Sequence, residues 1–187
     1  MSEYYEAQND IIKELDETLA KVNDQEVEKL IEEIKKADKV FFVAVGRVLL
    51  SLESVAKRLA HLGVDCYIVG QVTEPAITEN DLLIVGSGSG STAFPLAIAE
   101  KAKQYDATVF HIGRNPECPM AEFSDFFARI PASKEANLEV EGVESVQPMT
   151  SLFEQALLLL GDTIALMMVR ERDIEMESLW QYHANLE

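Results

Sequence analysis

Residues Leu82–Thr92 read LLIVGSGSGST. Leu82–Val85 is apolar without alternation, as in a strand buried on both faces of a parallel sheet. Only Gly, Ser and Thr follow, from Gly86 to Thr92. Phe94–Tyr105 then has helical spacing, with Thr92 as N-cap and Pro95 at the third helical position, where a missing N–H costs nothing. Glycines let backbone approach a ligand closely. A helix start adds free N–H groups and partial positive charge. The pattern therefore predicts an anion site, above all for phosphate, formed by Ser87, Gly88, Ser89, Gly90, Ser91 and Thr92. Neither GK[ST] nor GxGxxG is present, so this is not a nucleotide loop.

Similar apolar runs lie on both sides. Lys39–Val45 (KVFFVAV), Cys66–Val69, Ala107–Ile112 and Asp125–Ile130 read as four further strands. Helices are predicted over Leu49–Leu62, ending at Gly63, over Leu152–Arg170 and over Ile174–His183. A short helical turn is predicted at Met120–Phe123. Strands alternating with helices give an α/β fold: a three-layer, doubly wound, five-stranded parallel sheet of flavodoxin-like order. Ligands bind such sheets beyond the strands' carboxyl ends, where strand order reverses. The first and third strands flank that point and end in Gly46-Arg47 and in the Ser-Gly loop. Residues 1–36 read as an N-terminal helical arm, with Asp24 as N-cap of its second helix. Residues 37–170 form the core and 171–187 a C-terminal helix and tail, within a single domain of 187 residues. Residues 132–148 are polar and irregular.

Bulk properties narrow the function. Apolar residues make up 48% and charged residues 26%, a globular balance that needs no disulfide or metal to hold a core. The net charge of −17 disfavours nucleic acid as a partner. It also repels anionic metabolites, but only over about 8 Å at physiological salt, so local donors decide inside a pocket. Cys66 and Cys118 form no metal motif and read as free thiols of a reducing, cytoplasmic compartment. The acidic N-terminus lacks an apolar core and does not read as a signal peptide. The most apolar stretch, Ala156–Val169, contains Asp162 and is short for a membrane span.

DLLIVGSGSGST resembles the phosphate-binding segment of sugar isomerase (SIS) domains. Gly46-Arg47, Arg58–Gly63 (RLAHLG), Thr73-Glu74-Pro75 and the closing HANLE resemble the 6-phospho-3-hexuloisomerase subgroup. That resemblance implies conversion of 3-hexulose 6-phosphate into fructose 6-phosphate through an enediolate, with no metal or organic cofactor, in a homo-oligomer of two or four subunits. It implies a glutamate base at the start of the long apolar helix, here Glu154. Read without the family, Ser151–Glu154 also fits a capping box. His183 is the second catalytic candidate: an imidazole can open a sugar ring or shuttle a proton. Near the C-terminus, it is placed either to reach a neighbouring subunit or to lie exposed in the tail. Arg47 can hold substrate oxygens or pair with an acid. His61 belongs to the opposite edge of the sheet, and His111 reads as a packed strand residue. Two departures stand out. Val48 and Leu49 replace the subgroup's Ser-Gly, with Ser51 one turn on as a possible replacement donor. Ser91 stands where Arg is common. A sugar-phosphate-binding protein without turnover, or an isomerase of another phosphosugar such as arabinose 5-phosphate, remains the alternative.

Overall fold

Apolar runs without alternation build the centre of the molecule. In the computed structural model, which describes residues 2–133, 142–173 and 175–186, they form β1 (Val40–Val43), β2 (Cys66–Ile68), β3 (Leu82–Gly86), β4 (Thr108–Gly113) and β5 (Phe126–Arg129). All neighbours pair in parallel, in the order β2-β1-β3-β4-β5. Strand order reverses between β1 and β3, as expected from the sequence. Val40, Phe42, Leu82 and Ile84 enter one core with Phe110 and Ile112, while Phe41, Val43, Leu83 and Val85 enter a second one on the other face.

The first face is covered by α2 (Asp24–Lys36), α3 (Gly46–Ala60) and α5 (Ser151–Glu171), with α1 (Glu3–Leu19) outside α5. The second carries α4 (Ala93–Lys103) and a 3-10 turn at Pro119–Glu122. The N-cap of α2 is Asn23, whose side chain accepts from Gln25 N–H at 2.9 Å, rather than Asp24, which begins the helix. α3 begins at Gly46, three residues earlier than the apolar spacing suggests.

α5 has 21 residues and is long and apolar enough to cross a membrane. It exceeds the shorter stretch anticipated, but Leu152, Phe153, Ala156, Leu157, Leu160, Ile164 and Met168 are buried in the core. Gly161 lets it approach Val55 of α3. Of the segment read as an irregular loop, residues 134–141 lie outside the described residues. Its ends are joined by a bridge between Ala132 and Val143. Residues 145–147 are fastened to α1: the buried Glu14 carboxylate accepts from Ser145 Oγ at 2.7 Å, Val146 N at 2.8 Å and Gln147 Nε2 at 2.8 Å. Burial would raise the Glu14 pKa, but these three donors outweigh it and hold the carboxyl below 4.5. The C-terminal segment is a 3-10 helix, Met176–Tyr182, rather than an α-helix. Ile174 lies outside the described residues, as does Glu187.

Candidate functional site

The Ser-Gly loop leaves β3 at the switch point and enters α4 with Thr92 as N-cap. Gly86 has no Cβ because Leu52 Cδ1 and Val48 Cγ1 would lie only 2.9 and 3.0 Å from it. Gly90 has φ +63°, a left-handed conformation that favours glycine. Its N–H donates to Ser87 Oγ at 3.1 Å, and its carbonyl accepts from Met120 N at 3.0 Å. Ser87 is buried, and its hydroxyl oxygen braces the turn by accepting from the Gly90 N–H. Ser89 Oγ accepts from Ser91 Oγ at 3.1 Å and from Ser91 N at 3.3 Å. The Thr92 hydroxyl makes no capping bond. Ser89, Ser91, Thr92 and the first N–H groups of α4 thus form the outer face.

His111 supports the loop from below. Its Nε2 lies 2.8 Å from the Ser87 carbonyl. Burial pushes its pKa down to about 4, against the opposing effect of that bond. It is therefore neutral at pH 7, and its Nε2–H donates to Ser87. This places His111 in the packed support of the site, as its strand position suggests.

Arg47 and Glu154 meet beside the loop. Gly46 (φ +59°) turns the chain out of β1, and Arg47 follows in the first turn of α3. Its Nε lies 2.9 Å from Oε2 of Glu154, in the first turn of α5, although the N–H is not aligned for a hydrogen bond. The other carboxylate oxygen accepts from Thr150 Oγ1 at 2.6 Å. Glu154 is buried, whereas the Arg47 side chain is 63% exposed. The capping box does not form. Thr150, not Ser151, is the N-cap of α5, and Ser151 Oγ donates to the Pro148 carbonyl at 2.8 Å. Glu154 is thus free of a capping duty.

Val48 packs against Gly86, and Ser51 Oγ donates to the Glu154 carbonyl at 2.8 Å, so neither presents a polar donor to the site. His183 stacks on His61, ring centroids 5.3 Å apart, and lies 4.9 Å from the Trp180 ring. His61 caps the far end of α3, whose 15 residues span about 22 Å. Within one chain, the structure therefore does not bring His183 to Glu154. Arg114, directly after β4, was missed by sequence reasoning. It is 5% exposed and lies against Gly88. A basic residue following a strand at the carboxyl edge was the available signal.

Depth does not mark this site; convergence of polar groups does. A recess of about 250 Å³ between Phe41, Leu83, Ile98 and Tyr105 lies on the second sheet face and holds none of these residues. Among the described residues no group of three His, Cys, Asp or Glu is placed to hold a metal ion.

A doubly wound parallel sheet with a Ser-Gly loop and an Arg–Glu pair at its switch point defines an α/β protein of the doubly wound class. The SIS domain family matches residues 33–159, and the chain belongs to that family. It is similar to the 3-hexulose-6-phosphate isomerase of Bacillus subtilis, 35% identical over 95% of this chain and 96% of that one. It is 37% identical to the enzyme of that name from Mycobacterium gastri, over 93% of this chain and 86% of the relative. A solved Methanococcus jannaschii protein, inferred from its structure to be a 3-hexulose-6-phosphate isomerase, shares 27% identity with a TM-score of 0.82. That match covers 97% of this chain and 99% of the other.

Proposed function

We propose that this protein is a 3-hexulose-6-phosphate isomerase that works through an enediol. The observation that carries the reading is Glu154, a buried carboxylate at the start of α5, held between Arg47 and Thr150 beside the Ser-Gly loop. Near full-length similarity to enzymes of that name supports it.

In the forward direction the substrate carries its carbonyl at C3. Glu154 removes the C2 proton, a double bond forms between C2 and C3, and the C3 oxygen gains a proton. Loss of the O2 proton then makes C2 the carbonyl, and Glu154 returns its proton to C3. Atoms balance with no redox partner. Oε2 carries no aligned hydrogen bond and keeps a lone pair for the proton. The exposed Arg47 side chain can swing from Oε2 onto the sugar oxygens, where developing charge is greatest. Ser89, Ser91, Thr92 and the start of α4 take the 6-phosphate. Such proton transfer by a placed group typically contributes about 10²–10⁴-fold.

The second group, His183, serves a neighbouring subunit in this reading, since its own Glu154 is out of reach. Exposed Tyr4, Tyr5 and Ile12 on α1 and Leu159 and Leu166 on α5 support a helical interface between subunits. A homo-oligomer of two or four copies follows, measurable by light scattering.

Deuterium exchange tests the function. Fructose 6-phosphate incubated with the protein in heavy water should take up deuterium at carbon, read by NMR. Binding without exchange between pH 6 and 9 would instead favour a sugar-phosphate-binding protein without turnover, a reading that Val48 and its apolar contact with Gly86 supports.

A further inference from the structure

We infer that Arg114 supplies the positive charge of the phosphate site, from beneath the Ser-Gly loop, and so positions the phosphate of the substrate. The inference rests on the loop being the phosphate site.

A dianionic ester entering a chain of net charge −17 needs a cation close by. The loop and the first turn of α4 contain none from Gly86 to Leu96. Arg47, beside Glu154, is assigned to the sugar oxygens in the proposed reaction. Arg114 is different in place. Its backbone N–H donates to the Gly88 carbonyl at 3.1 Å. Its Nε lies 3.0 Å from where a Cβ on Gly88 would sit, and Phe153 Cδ1 lies 3.6 Å from the same point. The Arg114 side chain therefore passes close against Gly88, with Phe153 in the first turn of α5 beside the same point. Glycine at 88 is what lets it do so.

Burial makes the charge count for more. At 5% exposure, little water screens the guanidinium. Arginine stays charged at every working pH, so the field is permanent. The Arg129 Nε–H donates to the Arg114 carbonyl at 3.2 Å, and Arg129 N–H donates to Glu26 Oε2 at 2.7 Å. These bonds tie the Arg114 backbone to β5 and α2. The loop supplies donors and shape; Arg114 supplies charge. This also gives a physical reason why the loop tolerates Ser91 without a cation of its own.

The test uses the full-length protein. In wild type, inorganic phosphate is titrated while the Arg114 Nε–Hε signal and the Ser89 and Thr92 amides are followed by NMR. All three should move together. If the loop amides move and the Arg114 signal does not, this inference fails and the loop reading stands. If neither moves, both fall. In parallel, Arg114→Met should raise the inhibition constant of inorganic phosphate and the KM for fructose 6-phosphate at least about tenfold. It should leave kcat within about threefold, and Arg114→Lys should restore part of the loss. A folded Arg114→Met with unchanged KM and inhibition constant overturns the proposal, as does a loss confined to kcat.

Discussion

Arg47 Nε and Glu154 Oε2 sit 2.9 Å apart, joining the first turn of α3 to the first turn of α5 across the mouth of the switch point. One partner is largely in water and the other is buried, so the pair can open on the arginine side without moving the carboxylate. Glu154→Gln keeps the shape and the Thr150 contact but removes the base. Deuterium exchange should fall by about 10²–10⁴-fold while fructose 6-phosphate still binds. Ser151→Ala, which removes only a hydroxyl bonded to Pro148, should keep exchange near wild type. Equal losses in both variants would return Glu154 to a structural role.

Gly90 tests the loop. Alanine there must adopt φ +63° with its Cβ overlapping Cys118 Sγ and 3.2 Å from His111 Cε1. The turn has to open, which displaces Ser89 and Ser91. Gly90→Ala should raise the KM for phosphorylated substrate tenfold or more and also lower thermal stability, since Cys118 packs against the second core. Steady-state kinetics with thermal melting separate the two effects.

The sheet was legible because its signals are local. Continuous apolar runs such as KVFFVAV and DLLIVG have one favourable use, between two helix layers, and the small-residue loop could belong only at a strand's end. Caps were less legible. Asn23 and Asp24, or Thr150 and Ser151, offer equivalent oxygens, and tertiary placement of the helix start selects one. Glu154 was found in sequence, yet its contacts with Arg47 and Thr150 depend on packing between α3 and α5. The place of His183 was not legible, since nothing local shows that its segment folds back on His61. Arg114 carries no motif at all; only the fold sets its side chain against Gly88.

Acid should destabilise the protein in two stages. His111 has a pKa of about 4 when folded and 6.5 as a free side chain. Above pH 6.5 both states are neutral and the difference vanishes. Below it the unfolded chain takes a proton that the native site refuses, so stability falls as pH drops from 6.5 towards 4, by about 3 kcal/mol in all. Glu14 has the lowered pKa of a bonded carboxylate, so its contribution is present above 4.5 and is lost as pH falls further. Urea unfolding at pH 7.5, 6 and 5 should show the first loss, and His111→Gln should flatten it. Equal slopes for wild type and variant would show that His111 carries a proton in the folded state.

Gly161 tests how closely the helices that carry the site must pack. In the middle of α5, glycine costs about 1 kcal/mol of helix propensity relative to alanine. A Cβ at this point would overlap Val55 Cγ2 and lie 2.8 Å from Cγ1, inside the main core. Overpacking of that kind typically costs about 1–3 kcal/mol, which outweighs the propensity gained. Gly161→Ala should therefore lower the melting temperature. Because α3 and α5 carry Arg47 and Glu154, it should also weaken exchange. Val55→Ala on that background removes the overlapping methyls and should restore both properties beyond the sum of the single changes, a coupling that a double-mutant cycle measures directly. Additive effects would mean that α3 and α5 adjust to the extra methyl without strain, and that the Arg47–Glu154 geometry does not depend on how closely these helices approach.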